Sequence, residues 1–151
     1  MRIVLDTNIL IRANPKGRGP ARELLQKIIS GDHTLITPDF LPQEVARVLA
    51  YPRIKERWRL HPREVEGYLQ NLASSSEVVK PHPGIAVVSK DMDDDPIIYT
   101  AVTGKADVLC TLYAHFHEES AKSYCVQKNI VIMDDAELLR VMRSREEKKT
   151  R

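Results

Sequence analysis

The chain is poor in cysteine: Cys110 and Cys125 are the only two in 151 residues, and no C-x-x-C spacing relates them. That argues against both a disulfide scaffold and a zinc ribbon, and Cys110 sits in an apolar run that suits a buried thiol. No apolar stretch approaches the roughly 18 residues of a membrane span, and the opening M-R-I-V-L-D breaks off too early for a signal peptide. A cytoplasmic protein that makes no use of a membrane is the expectation. Charge of one sign is also missing, since 23 Lys and Arg against 21 Asp and Glu leave a formal +2. Only clustered charge makes a useful field, so nucleic-acid binding has to be read from position. There is no G-x-S-x-G, no Gly-rich dinucleotide fingerprint and no Walker sequence. Internal repeats and low-complexity linkers are absent too.

What is present is a core: 42% apolar residues in a chain of ordinary single-domain length. The expected organisation is one domain over 1–142 and a charged, frayed tail from Arg143, R-S-R-E-E-K-K-T-R, which lacks apolar residues. Apolar periodicity alternates between strand and helix. R-I-V-L at 2–5, T-L-I-T at 34–37, E-V-V at 77–79, D-V-L-C-T at 107–111 and I-V-I-M at 130–133 read as strands. Helices are expected from Pro20, from Leu41 until Pro52 stops the chain, from Pro62, after Asp95, from about His117, and after Asp134, where Glu137 completes a capping box. Strands separated by helices imply a parallel sheet covered on both faces, an α/β architecture.

In such sheets ligands sit outside the carboxyl ends of the strands. Asp6 directly follows the first strand and so projects into that crevice, although an Asx turn or a helix entry at D-T-N would use the same residue. Glu44 lies beside Leu41 and Val48 on the helical wheel, at the margin of the buried stripe, where a rim position and a paired carboxylate are both open readings. D-M-D-D-D-P at 91–96 packs four aspartates into five positions. A helix N-terminus with Pro96 in its first turn explains one or two of them through capping and the helix dipole, at about 1 kcal/mol each. A divalent cation would offset the repulsion among the rest. Mg²⁺ or Mn²⁺ takes hard carboxylate oxygens, keeps several waters and needs only one or two direct protein ligands, which Asp6, Glu44 and Asp95 can supply.

These stretches, V-L-D-T-N-I-L-I at 4–11, the glutamate of P-Q-E-V-A-R-V-L, and D-D-D-P-I-I-Y-T-A-V-T-G-K-A-D-V-L-C-T at 93–111, resemble a PIN domain, most closely the branch that includes VapC-type toxins. The resemblance runs over nearly the whole chain. It implies a three-layer α/β/α sandwich and Mg²⁺- or Mn²⁺-dependent hydrolysis of RNA phosphodiester bonds, leaving a 5′-phosphate and a 3′-hydroxyl. It places the acids on Asp6, Glu44 and Asp95 and gives Thr7, Asn8 and Thr111 the part of steering those carboxylates. A small antitoxin occluding the crevice, and a homodimer, are further implications.

One departure stands out. Family members commonly carry T-G-D-x-D or T-x-D after the fourth strand, whereas this chain reads T-L-Y-A-H-F, with Tyr113 at the acid's position and His115 at a further one. A phenol does not replace a carboxylate's charge. The alternative reading is therefore a catalytically impaired PIN-like module that binds RNA or protein. Asp93, Asp94 or Asp135 are candidate substitutes for the lost acid; Asp107, at a strand's start, belongs to the opposite edge. His115 and His117 are candidate base or phosphate contacts. For substrate, K-G-R-G at 16–19 with Arg12 and Arg22 is expected to border the crevice, and P-R-I-K-E-R-W-R-L-H-P-R at 52–63 sets five cations and Trp58 against a lone Glu56. Other phosphate chemistries fit less well. A haloacid-dehalogenase-like phosphatase wants D-x-D after strand one, where this chain has Asn8, and a receiver domain wants a phosphoacceptor aspartate after a middle strand.

Overall fold

The computed structural model describes residues 1–82 and 95–151, with Asp95 described by its backbone alone. Five strands form one sheet in the order β3-β2-β1-β4-β5: β1 (Arg2–Leu5), β2 (Thr34–Pro38), β3 (Ser76–Val79), β4 (Val108–Cys110) and β5 (Val131–Met133). Every neighbouring pair is parallel, with Ile3 opposite Leu35 on one side and Val108 on the other. Eight helices connect and cover the described strands: α1 (Thr7–Arg12), α2 (Pro20–Ser30), α3 (Leu41–Leu49), α4 (Pro52–Trp58), α5 (Pro62–Ser74), α6 (Asp95–Thr103), α7 (Glu119–Gln127) and α8 (Asp135–Lys149). The α/β/α sandwich with a central parallel sheet is as the sequence predicts.

Alternation along the strands divides the core into two layers, because successive side chains point to opposite faces. Ile3, Leu5, Leu35, Val108 and Cys110 face α1, α2, α3, α5 and α8, where Ile9, Leu10, Leu24, Leu25, Val45, Leu72 and Leu138 meet them. Val4, Ile36, Leu109 and Ile132 face α6 and α7, packing on Ile98, Ala101, Phe116, Ala121 and Cys125. Both cysteines are free and buried. Burial pushes the Cys110 thiol well above its ordinary range and raises Cys125 to about 11.

Three helices depart from the expectations. The stretch 7–12, where Asp-Thr-Asn leaves an Asx turn and a helix entry both open, forms α1, a helix of 6 residues whose last turn is closed by side chains. Asn14 donates Nδ2–H to Ile11 O at 2.8 Å, and the buried Tyr68 hydroxyl donates to Leu10 O at 2.6 Å. So short a helix cannot satisfy its own terminal carbonyls, and α5 supplies what the local sequence lacks. Pro52 does more than stop α3: it occupies the first turn of α4, which none of its own residues buries. The charged segment from Arg143, expected to fray, continues α8 to Lys149. Arg143 pairs with Glu23 at 2.6 Å and Glu146 with Lys27 at 2.8 Å, both residues of α2, so cross-helix charge replaces apolar packing there. The Asp134/Glu137 capping box forms as expected, with Asp134 Oδ1 accepting from Glu137 N–H at 2.8 Å and Glu137 Oε2 from Asp134 N–H at 2.9 Å.

Replacing Tyr68 by Phe keeps the ring in the core and removes the donor to Leu10 O. The expected cost is about 1–3 kcal/mol in urea unfolding, with an unchanged denaturant slope. A loss under about 0.5 kcal/mol would show that water takes over at that carbonyl.

Candidate metal centre

The sheet order reverses between β1 and β4: from β1 the chain builds outward through β2 and β3, then returns to the other side of β1. The crevice beyond the carboxyl ends of these two strands is the place where this topology leaves room for a ligand. Asp6 and Thr111 stand on its two sides.

Asp6 closes β1 and opens α1 at once. Its N–H donates to Cys110 O at 2.9 Å, extending the ladder one residue, while its carbonyl accepts from Ile9 and Leu10 N–H at 3.0 and 3.1 Å. With φ −67° and ψ 158° it is the N-cap of α1. Oδ1 accepts the Thr7 N–H at 2.7 Å; Oδ2 accepts the Thr111 hydroxyl at 2.8 Å and lies 3.4 Å from Asn8 Nδ2. The Thr111 hydroxyl has a defined direction, because Tyr113 N–H donates to its oxygen at 3.0 Å and thereby leaves its own proton for Asp6. Asn8 is held in turn by Leu112 N–H, which donates to Asn8 Oδ1 at 3.3 Å. Thr7 enters through its backbone, since its buried hydroxyl has no hydrogen-bond partner among the described residues.

Glu44 arrives from the first turn of α3. It is half-buried, and among the described residues its carboxylate has neither a hydrogen bond nor an ion pair. With Asp6 it lines a cleft of about 420 Å³, completed by Phe40, Gln43, Arg47, Pro96 and Ile97. Pro96 and Ile97 belong to the first turn of α6, so the backbone of Asp95 starts that helix at the rim of the same cleft. Burial raises the Asp6 carboxyl above its ordinary 3.8; the bonds from Thr111 and Thr7 pull it down, and the charge of Glu44 adds to the rise.

Two carboxylates facing one cleft, with the Arg47 guanidinium on its wall bonded to the Tyr51 hydroxyl and, among the described residues, to neither acid, are a donor set suited to a hard divalent cation that retains water. Among the described residues no three carboxylate, imidazole or thiolate side chains converge on one point. The Asp95 side chain, Asp93, Asp94 and the rest of the 91–95 cluster fall outside the described residues.

The other candidates take different places. Tyr113 is exposed, stacks edge-on against His115 at 5.1 Å, and is absent from the cleft wall. His117 Nε2 lies 2.9 Å from Thr111 O and braces the turn that holds Thr111. Asp135 is 4% exposed, begins α8, and lines no part of the cleft. Asp107 accepts the Arg2 N–H at 2.7 Å, at the opposite edge of the sheet as expected. The 16–19 loop, expected to border the crevice, lines a separate groove with Arg22 and Gln26, and Lys16 Nζ is bound to Arg59 O at 2.6 Å. Trp58 is half-buried on an apolar groove between α3, α4 and α5, with Arg57 over its ring at 5.1 Å. Arg47 and Gln43 were missed by the sequence reading. Position 47 is one turn beyond Glu44 on the same helix, and that spacing alone pointed to it.

The crevice at a topological switch point, with an acid after the first strand and a second from a covering helix, defines a class of α/β proteins that bind ligands at that edge. A family model described as "PIN domain" matches residues 2–112, and the chain belongs to the PIN domain family. Comparison with curated proteins gives no match. Among solved structures, the crystal structure of VapBC2 from Rickettsia felis bound to a DNA fragment from their promoter is similar in fold, with a TM-score of 0.55, 16% sequence identity, and coverage of 89% of this chain and 98% of that one.

The raised Asp6 pKa has a sign for stability. Below its unfolded pKa of 3.8 the group is protonated folded or unfolded; as pH rises through the higher folded pKa, the native state loses stability because it must bury the charge. Metal-free Asp6→Asn should therefore melt above the wild type at neutral pH, with the gap closing in acid. Equal melting curves at both pH values would show that Asp6 carries no such burden.

Proposed function

We propose that this PIN domain is a metal-dependent endoribonuclease of the cytoplasm and the toxin of a toxin–antitoxin pair. The observation that carries the reading is the pairing of Asp6 with Glu44 in one cleft at the switch point, with Thr111 aiming a hydroxyl proton at Asp6. Asp6 and Asp95 are proposed as direct ligands of Mg²⁺ or Mn²⁺, and Glu44 as the residue that holds the attacking water. Thr7 N–H, Asn8 and Thr111 fix the Asp6 oxygens, so that little reorganisation remains when a charged phosphate enters. When bound, the cation supplies charge neutralisation of the phosphodiester and acidification of water. The chain's own residues then orient: Glu44 accepts a proton from water, and Arg47 meets a phosphate oxygen at the cleft wall. The similarity to VapBC2, bound there to a fragment of its promoter, supports an antitoxin partner; a homodimer is proposed from the family resemblance alone.

Tyr113 favours a second reading. With no acid at that place and Asp135 outside the cleft, a module that binds RNA or protein without cutting it is the competitor.

Purified protein incubated with labelled single-stranded RNA and Mn²⁺ should cut it, and EDTA should stop the reaction. Asp6→Asn and Glu44→Gln should each lower the rate at least about a hundredfold. Equal cutting by wild type and Asp6→Asn would identify a contaminant. Mn²⁺ binding without cleavage of any RNA would favour the module.

A further inference from the structure

Tyr51 is a large ring left 44% exposed at the junction of α3 and α4, close to a cleft lined by acids. Its backbone N–H still reaches Val48 O at 3.1 Å, so it rides on the last turn of α3 before the chain turns extended at φ −61° and ψ 137°. Arg47 joins it to the cleft. The guanidinium lies 5.8 Å from the Tyr51 ring centroid, and Nη1–H donates to the Tyr51 hydroxyl at 2.5 Å.

That arrangement is unusual in what it forgoes. A glutamate and an arginine three apart on a helix ordinarily pair, yet among the described residues Arg47 makes no ion pair with Glu44 or with Asp6. The ring and hydroxyl of Tyr51 hold the guanidinium to one side, and its remaining N–H groups have no partner among the described residues. A planar cation with donors that no described residue takes up suits a phosphate, and a half-exposed aromatic face beside it suits a nucleobase. Glu44 and Tyr51 are 7 residues apart in sequence, roughly 10 Å along a helix axis, a span that about three stacked nucleotides cover.

We infer that Arg47 and Tyr51 form a subsite for a nucleotide flanking the scissile bond, Arg47 taking its phosphate and Tyr51 stacking its base. The inference rests on the nuclease reading for the direction of the strand. It adds a specificity: the base must be unpaired to offer its face, so the subsite selects single-stranded nucleic acid over duplex.

Binding in EDTA separates this from catalysis. With a short pyrimidine-rich single-stranded RNA followed by fluorescence anisotropy, Tyr51→Ala and Tyr51→Leu should each weaken binding roughly tenfold or more, because leucine keeps bulk but not the π face. Tyr51→Phe should stay within about threefold of wild type, since stacking survives the loss of the hydroxyl. Arg47→Ala should reduce the salt slope of binding by about 1. Affinity for a duplex of the same sequence should change less than about twofold in the Tyr51 variants. Unchanged single-strand affinity in Tyr51→Ala and Tyr51→Leu, no single-strand binding by wild type, or equal losses for duplex would each overturn the subsite. Unchanged affinity alongside Mn²⁺-dependent cutting would leave the nuclease reading intact and make the ring a protein contact. Lost affinity in a protein that never cuts would keep the subsite and sink the nuclease.

Discussion

A single hydrogen bond across the switch point organises the edge of this sheet. Thr111 at the end of β4 gives its proton to Asp6 at the end of β1, 2.8 Å away, and both strands must end in register for that to occur. The register is set by the core, where Leu5 lies opposite Cys110 and Val4 opposite Leu109. Slippage by one residue would turn Asp6 towards the opposite layer and expose Leu5 or Val4 in its place, which the burial of both forbids. The apolar interior therefore holds the carboxylate where water is scarce, and its proton affinity rises as a result.

The same edge shows how function and stability pull apart. A native state without a cation carries two acids in one cleft and gains nothing from their proximity. Stability is gathered elsewhere, in the two apolar layers, in the Tyr68 bond that closes α1, and in the cross-helix pairs of α8. The burden at the cleft is tolerated because α1, which carries the acid at its cap, is tied to α5 rather than left to its own 6 residues.

Much of this was legible in sequence because the signals are local. Strands of three to five apolar residues and helices with Pro in the first turn identify themselves, and the sheet's parallel character follows from their alternation. Asp6 was legible for the same reason, as an acid directly after a buried strand. What escaped depends on distant partners. No periodicity announces α1, whose last turn is completed by a tyrosine 58 residues away from Leu10. The α8 tail reads as a solvated run until Glu23 and Lys27 are brought beside it. Arg47 and Tyr51 carry no motif; helical spacing from Glu44 was the one signal for Arg47, and the fold places it on the cleft wall. The 16–19 loop misled because nearness to Asp6 in sequence was read as nearness in space, whereas α1 carries the chain away to Arg59.

The two thiols have a use of their own. Cys110 lies between β1 and β5 at the heart of one layer, Cys125 under α7 in the other, and both are screened from solvent. A reagent that alkylates sulfur can reach them only when its own layer parts. Mass-resolved labelling over time would thus clock the breathing of each half of the sandwich separately, with no probe introduced into the chain.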